Sequence, residues 1–128
     1  MRIIALTLAL LVLTASPALA LGRLHVVVRG QDHHPLVHKK WHYEVRVTDA
    51  KTGKPVACRI HLQFLFGTIP VGQVGVHVVK NGFWQETFGT PGHPGFPPAA
   101  RGQRLTLQAV VTAKGYAKAK AGWWLVVR

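Results

Sequence analysis

Serine stands at one position of the 128-residue chain, Ser16, and cysteine at one, Cys58. The first scarcity removes every serine-based catalytic triad beyond residue 16. The second rules out an intramolecular disulfide, so packing alone must hold the fold unless Cys58 pairs with another chain. Carboxylates are scarce too: Asp32, Glu44, Asp49 and Glu86 stand against 16 lysines and arginines, for a formal charge of +12. Glycoside hydrolysis needs two carboxylates across a cleft, one with a raised pKa. Glu44 and Glu86 are the only ones within predicted strands, and alternation gives both surface positions. No Gly-rich phosphate loop, HExxH motif, CxxC pair or specific nucleic-acid motif occurs. The sequence therefore reads as non-enzymatic.

What is present begins with "MRIIALTLALLVLTASPALA". A basic start at Arg2, an apolar run from Ile3 to Leu13, Pro17, and small residues at Ala18 and Ala20 make a secretory signal with an A-x-A cleavage site. Residues 1–20 are thus expected to be a signal peptide and 21–128 one domain, with a secreted or extracytoplasmic location. An uncleaved anchor is the alternative. No cysteine stands at the cleavage site to carry a lipid, and no later run approaches the ~18 apolar residues of a membrane span.

Beyond the signal, apolar residues recur with period two. In "HYEVRVT" Tyr43, Val45 and Val47 point one way and His42, Glu44 and Arg46 the other. In "CRIHLQFLF" Cys58, Ile60, Leu62, Phe64 and Phe66 share a face opposite Arg59, His61 and Gln63, which makes Cys58 a small inert core residue. A simple hairpin between these strands would pair Glu44 with His61; strands in different sheets would keep only the outward direction. "VGVHVVKNGFWQETF" carries Asn81-Gly82, a strong hairpin signal, with Val74, Val76 and Val78 inward and His77 outward. "GTPGHPGFPP" is a surface loop. "RLTLQAVVTA" turns near Lys114-Gly115 and returns through "KAKAGWWLVV", where one of Trp123 and Trp124 must face outward, under a loop or towards a ligand. With "LHVVV", the strands number seven.

The segment "VRVTDAKTGKPVACRIHLQF", residues 45–64, resembles the strand, T-G-x-P turn and strand of bacterial immunoglobulin-like and carboxypeptidase regulatory-like β-sandwich modules. "RGQRLTLQAVVTAKGYAKAKAGWWLVV" is similar to their closing hairpin. The resemblance implies an all-β, immunoglobulin-like antiparallel sandwich of about seven strands. It also implies a non-catalytic role as a spacer, adhesion unit or attachment.

Two surfaces compete for function. "QDHHPLVHKKWH" concentrates His33, His34, His38 and His42, candidate zinc or copper ligands. A strand beginning at His42 and a turn at Pro35 break the four-residue spacing that one helical face would need. Lys39 and Lys40 would also repel a cation there. The second surface is a basic patch of Lys39, Lys40, Arg46 and Arg59 with help from His42, suited to anionic envelope or extracellular polymers and strengthened by acid as the histidines titrate. The sequence favours a secreted interaction module without cofactor, open also to a protein partner; the alternative is an extracytoplasmic metal-binding protein using His33 to His42.

Overall fold

Alternation becomes strands at all seven expected places. The computed structural model describes residues 20–128, so the expected signal lies outside the described residues apart from Ala20. The strands are β1 (Leu24–Gly30), β2 (Trp41–Asp49), β3 (Cys58–Phe66), β4 (Ile69–Val79), β5 (Phe83–Phe88), β6 (Arg104–Thr112) and β7 (Ala119–Val126). They form two antiparallel sheets, ordered β1-β2-β5 and β4-β3-β6-β7. Among the described residues no helix is long and apolar enough to cross a membrane.

The faces that alternation predicts as apolar close on each other. Tyr43, Val45 and Val47 of one sheet and Ile60, Leu62, Leu107 and Val111 of the other are all at most 1% exposed. Cys58 joins this core as expected, and burial pushes its thiol pKa up. Gly30 marks a close approach of the two sheets: a Cβ there would overlap the Trp41 and Trp123 rings.

In β3 the expected face holds only as far as Phe64: a register shift between Phe64 and Leu65 buries Leu65 at 9% and leaves Phe66, expected inside, 49% exposed. Three further sequence expectations change. First, β2 and β3 lie in different sheets, so Glu44 faces Arg29 and Gln85 while His61 faces Val76 and Val110. The outward direction of His61 holds, with its Nε2 2.7 Å from Gln73 Oε1. Second, Asn81-Gly82 crosses between sheets instead of closing a hairpin. Gly82 has the left-handed φ of 66° that the dipeptide signals, but its carbonyl accepts from Val47 N at 2.7 Å on β2. Local turn chemistry specifies the backbone angle and leaves the plane of the next strand to tertiary packing.

Third, Val76 and Val78 point outward, 46% and 79% exposed, while His77 turns in and stacks on Trp84 at 3.6 Å. The cause is a bulge. Gly75 pairs with Leu62 and Gln73 with Gln63, leaving Val74 as an extra residue that inverts the phase of everything beyond it.

Successive strands run in opposite directions, so the connections alternate between two ends. The β2–β3, β4–β5 and β6–β7 turns meet at one end, where Ala50 N donates to Arg23 O and Ala117 N to Gly22 O. The β1–β2, β3–β4 and β5–β6 connections meet at the other, where His38 N donates to Phe96 O at 3.0 Å and Val37 N to Arg128 O at 2.9 Å.

Candidate functional site

The four histidines from His33 to His42 are not brought together. The His33 ring lies between Trp123 and Trp124, its centroid 3.9 and 3.8 Å from theirs and nearly parallel to both. Its Nδ1 is 2.6 Å from the Trp124 carbonyl, and its own carbonyl accepts from Val126 N. His33 thus fastens the connection to the edge of β7, and the outward Trp124, still 39% exposed, is flanked by it and by Arg104, 4.9 Å from the ring centroid. Asp32 locks the same corner: Oδ1 accepts from His34 N and Trp41 Nε1, and its carbonyl from Trp123 Nε1. His38 adopts a left-handed φ of 61° and contributes its backbone to the β5–β6 loop. His42 stands on the outer face of β2 with Nδ1 2.9 Å from Thr87 Oγ1. Among the described residues no three histidine, cysteine or acidic side chains gather as an ion would need.

The four expected cations are also divided. Lys39 and Lys40 lie in the β1–β2 connection. Arg46 projects from the outer face of β1-β2-β5, bonded to Glu44 at 3.3 Å and 4.8 Å from the Phe83 ring. Arg59 projects from the opposite sheet. They do not share one surface.

The topology assembles a different basic surface. Arg23 enters β1; Lys51 and Lys54 sit on the β2–β3 turn, Arg59 at the start of β3, Lys80 on the β4–β5 turn, and Lys114, Lys118 and Lys120 around the β6–β7 turn. All are exposed and all lie at one end of the sandwich. The one carboxylate there, Asp49, is engaged internally. Tyr116 OH donates to its Oδ2 at 2.7 Å, and Lys51 N and Thr52 N donate to Oδ1. The Tyr116 hydroxyl, then these amides, hold the carboxyl down at about 2, and the same bond raises the tyrosine. Among the described residues Arg46 is the only lysine or arginine paired with an acidic side chain.

Glu86, expected on the surface, is inside: its side chain is 10% exposed. Tyr43 OH donates to Oε2 at 2.7 Å and receives Trp84 Nε1 at 3.1 Å; Oε1 is 2.8 Å from His93 Nδ1. Desolvation, then the Glu86 hydrogen bond, push the Tyr43 hydroxyl strongly upward. The signal for this was in "FWQETF", where Trp84, Glu86 and Phe88 share a parity; two adjacent aromatics made the inward face ambiguous.

Neither a protein-family model nor a curated protein matches the sequence. Solved structures do. A CARDB domain from Pyrococcus furiosus, crystallised in complex with di-metal ions, has a TM-score of 0.52 and 16% identity, over 84% of this chain and 90% of that one. Spo0M, a sporulation control protein from Bacillus subtilis, gives 0.49 and 11%, over 84% of this chain and 50% of its own. The chain thus spans about half the length of Spo0M. The CARDB likeness is one of fold. This chain is an all-β, immunoglobulin-like sandwich module.

Proposed function

We propose that this chain is an exported, non-catalytic interaction module that holds anionic polymers of the envelope or extracellular space on its basic end. The observation that carries the reading is the convergence of eight exposed cations on one end, from Arg23 to Lys120, around a carboxylate already engaged. Clustered charge of one sign attracts polyanions far more strongly than the same charge dispersed. The expected export signal supplies the compartment, and the protonated, buried Cys58 thiol suits a structural role better than a nucleophilic one.

Binding to polyphosphate of defined length, read by calorimetry across a salt series, tests this. The logarithm of affinity should fall linearly with the logarithm of salt concentration. Changing Lys51, Lys54, Lys114 and Lys118 to Gln should flatten the slope by roughly 3, at about 0.7 for each phosphate left without its lysine along a single strand. Changing Lys39, Lys40, Arg101 and Arg104 to Gln removes the same charge elsewhere and should flatten it much less. Equal losses in the two variants, or binding indifferent to salt, would overturn the reading.

A further inference from the structure

At the end opposite Lys51, Lys80 and Lys114, the two sheets part around a cavity of about 750 Å³. Its walls are Phe64, Phe66, Val71, Phe88, Phe96 and Leu105. A space of this size and lining accommodates a drug-sized molecule. Phe66 and Val71, 49% and 57% exposed, form its mouth. One wall is the long β5–β6 loop, residues 89–103, whose shape is set before any ligand arrives. Phe96 is 6% exposed and packs edge-on against Trp41 and Phe64, at 5.7 and 5.5 Å. His38 N holds the Phe96 carbonyl, and His93 N and Thr90 O close the loop's own turn.

The charge in this cavity is the inverse of the rest of the molecule. Among the described residues no lysine or arginine lines it, and Glu86 does. The two oxygens of Glu86 differ in their partners. Oε2 is fixed from within by Tyr43, itself fully buried and bonded to Trp84. Among the described residues Oε1 meets His93 alone, whose side chain is 56% exposed on the β5–β6 loop and takes no part in the hydrophobic core. A carboxylate held rigidly among aromatic rings, with one oxygen covered by a displaceable side chain, is complementary to an ammonium group on an apolar body. The ammonium takes Oε1, the rings take the body, and their faces favour the positive charge. An anion would meet the carboxylate with no lysine or arginine among the described lining residues to compensate it.

We infer that this cavity is a binding site for a small apolar amine, with Glu86 receiving the ammonium and His93 as the group it displaces. The site is independent of polyanion binding at the far end.

Three probes of one shape test it: 2-(1-naphthyl)ethylamine, 2-(1-naphthyl)ethanol and 1-naphthylacetate, titrated into the full chain by calorimetry, with amide shifts followed by NMR. The amine should bind about tenfold tighter than the alcohol, since a charge-assisted hydrogen bond is roughly twice as strong as a neutral one, and the acid should bind weakest. Glu86→Gln keeps an acceptor for Tyr43 and should bring the amine to the affinity of the alcohol while leaving the alcohol unchanged. The shifted amides should include Phe64, Phe66, Val71 and Phe88. Equal affinity for the three probes, no saturable binding up to about 1 mM, or shifts confined to the basic end would overturn the inference.

Discussion

At one end of the sandwich exposed lysines stand on three turns; at the other, rings from both sheets and two long connections interlock. Trp41 alone meets Tyr43, Phe88 and Phe96 and donates to Asp32. The difference separates what can be altered freely from what cannot. Charge at the basic end rests on solvated side chains whose removal leaves the core intact. Shape at the aromatic end rests on the same rings that hold the two sheets together.

The sharpest way to break that comparison is to truncate the central ring. Trp41, 1% exposed, should cost about 3–5 kcal/mol on replacement by Ala, because the lost transfer energy adds to the cavity left behind. The four lysine changes at the far end should each stay within about 0.5 kcal/mol. Urea midpoints compare them directly. If Trp41→Ala proved no more costly than the lysine changes, the two ends would not differ in kind.

Much of this was legible in the sequence, and what was not has definite causes. Alternation located every strand, and the buried sets Tyr43–Val45–Val47 and Cys58–Ile60–Leu62 fell where it predicted. The phase of β4 was lost because a bulge at Val74 carries no distinctive residue type. The Glu44–His61 pairing and the hairpin at Asn81-Gly82 failed for a shared reason: a short connection does not say whether the chain continues in its own sheet or crosses to the other. The basic end was hidden by distance along the chain, since Lys51, Lys80 and Lys114 are neighbours only once connections alternate between ends. That alternation follows from antiparallel topology, so counting cations on every second connection would have exposed the cluster. The histidines misled in the opposite sense, being close in sequence and assigned to different tasks by the fold.

A smaller effect tests the one ordered carboxylate among the lysines. Tyr116→Phe removes the hydroxyl that does most to lower Asp49, so its carboxyl, held at about 2, should rise towards the ordinary value near 3.9. NMR titration of the Asp49 carboxyl reads this. A carboxylate with a depressed folded pKa stabilises the fold above its unfolded value, and that contribution fades as pH falls from about 3.9 towards 2. The variant should therefore lose less stability across that window than the parent. An unmoved Asp49 would mean that the turn amides, not Tyr116, order this end.

The smallest effect belongs to His77, which lies inside the sandwich between the two kinds of surface. Burial lowers its pKa, and the charge of His93 adds to this, while Glu86 opposes it. Its Nε2 is buried and finds no hydrogen-bond partner among the described residues. The unfolded chain accepts a proton near pH 6.5, whereas the folded chain does so only at lower pH, so the unfolded state binds more protons in between. The contribution is fully present above that value and is lost as pH falls through the depressed folded one. His77→Phe keeps a ring on Trp84 and removes both the titration and the orphaned nitrogen. Its stability at pH 7.5 should stay within about 1 kcal/mol of the parent, since replacing an unpartnered polar group by an apolar one of similar shape is nearly neutral. At pH 5 the variant should be the more stable of the two. Parallel loss in variant and parent would show that His77 does not carry the acid sensitivity; divergence would place it in the ring stacked on Trp84.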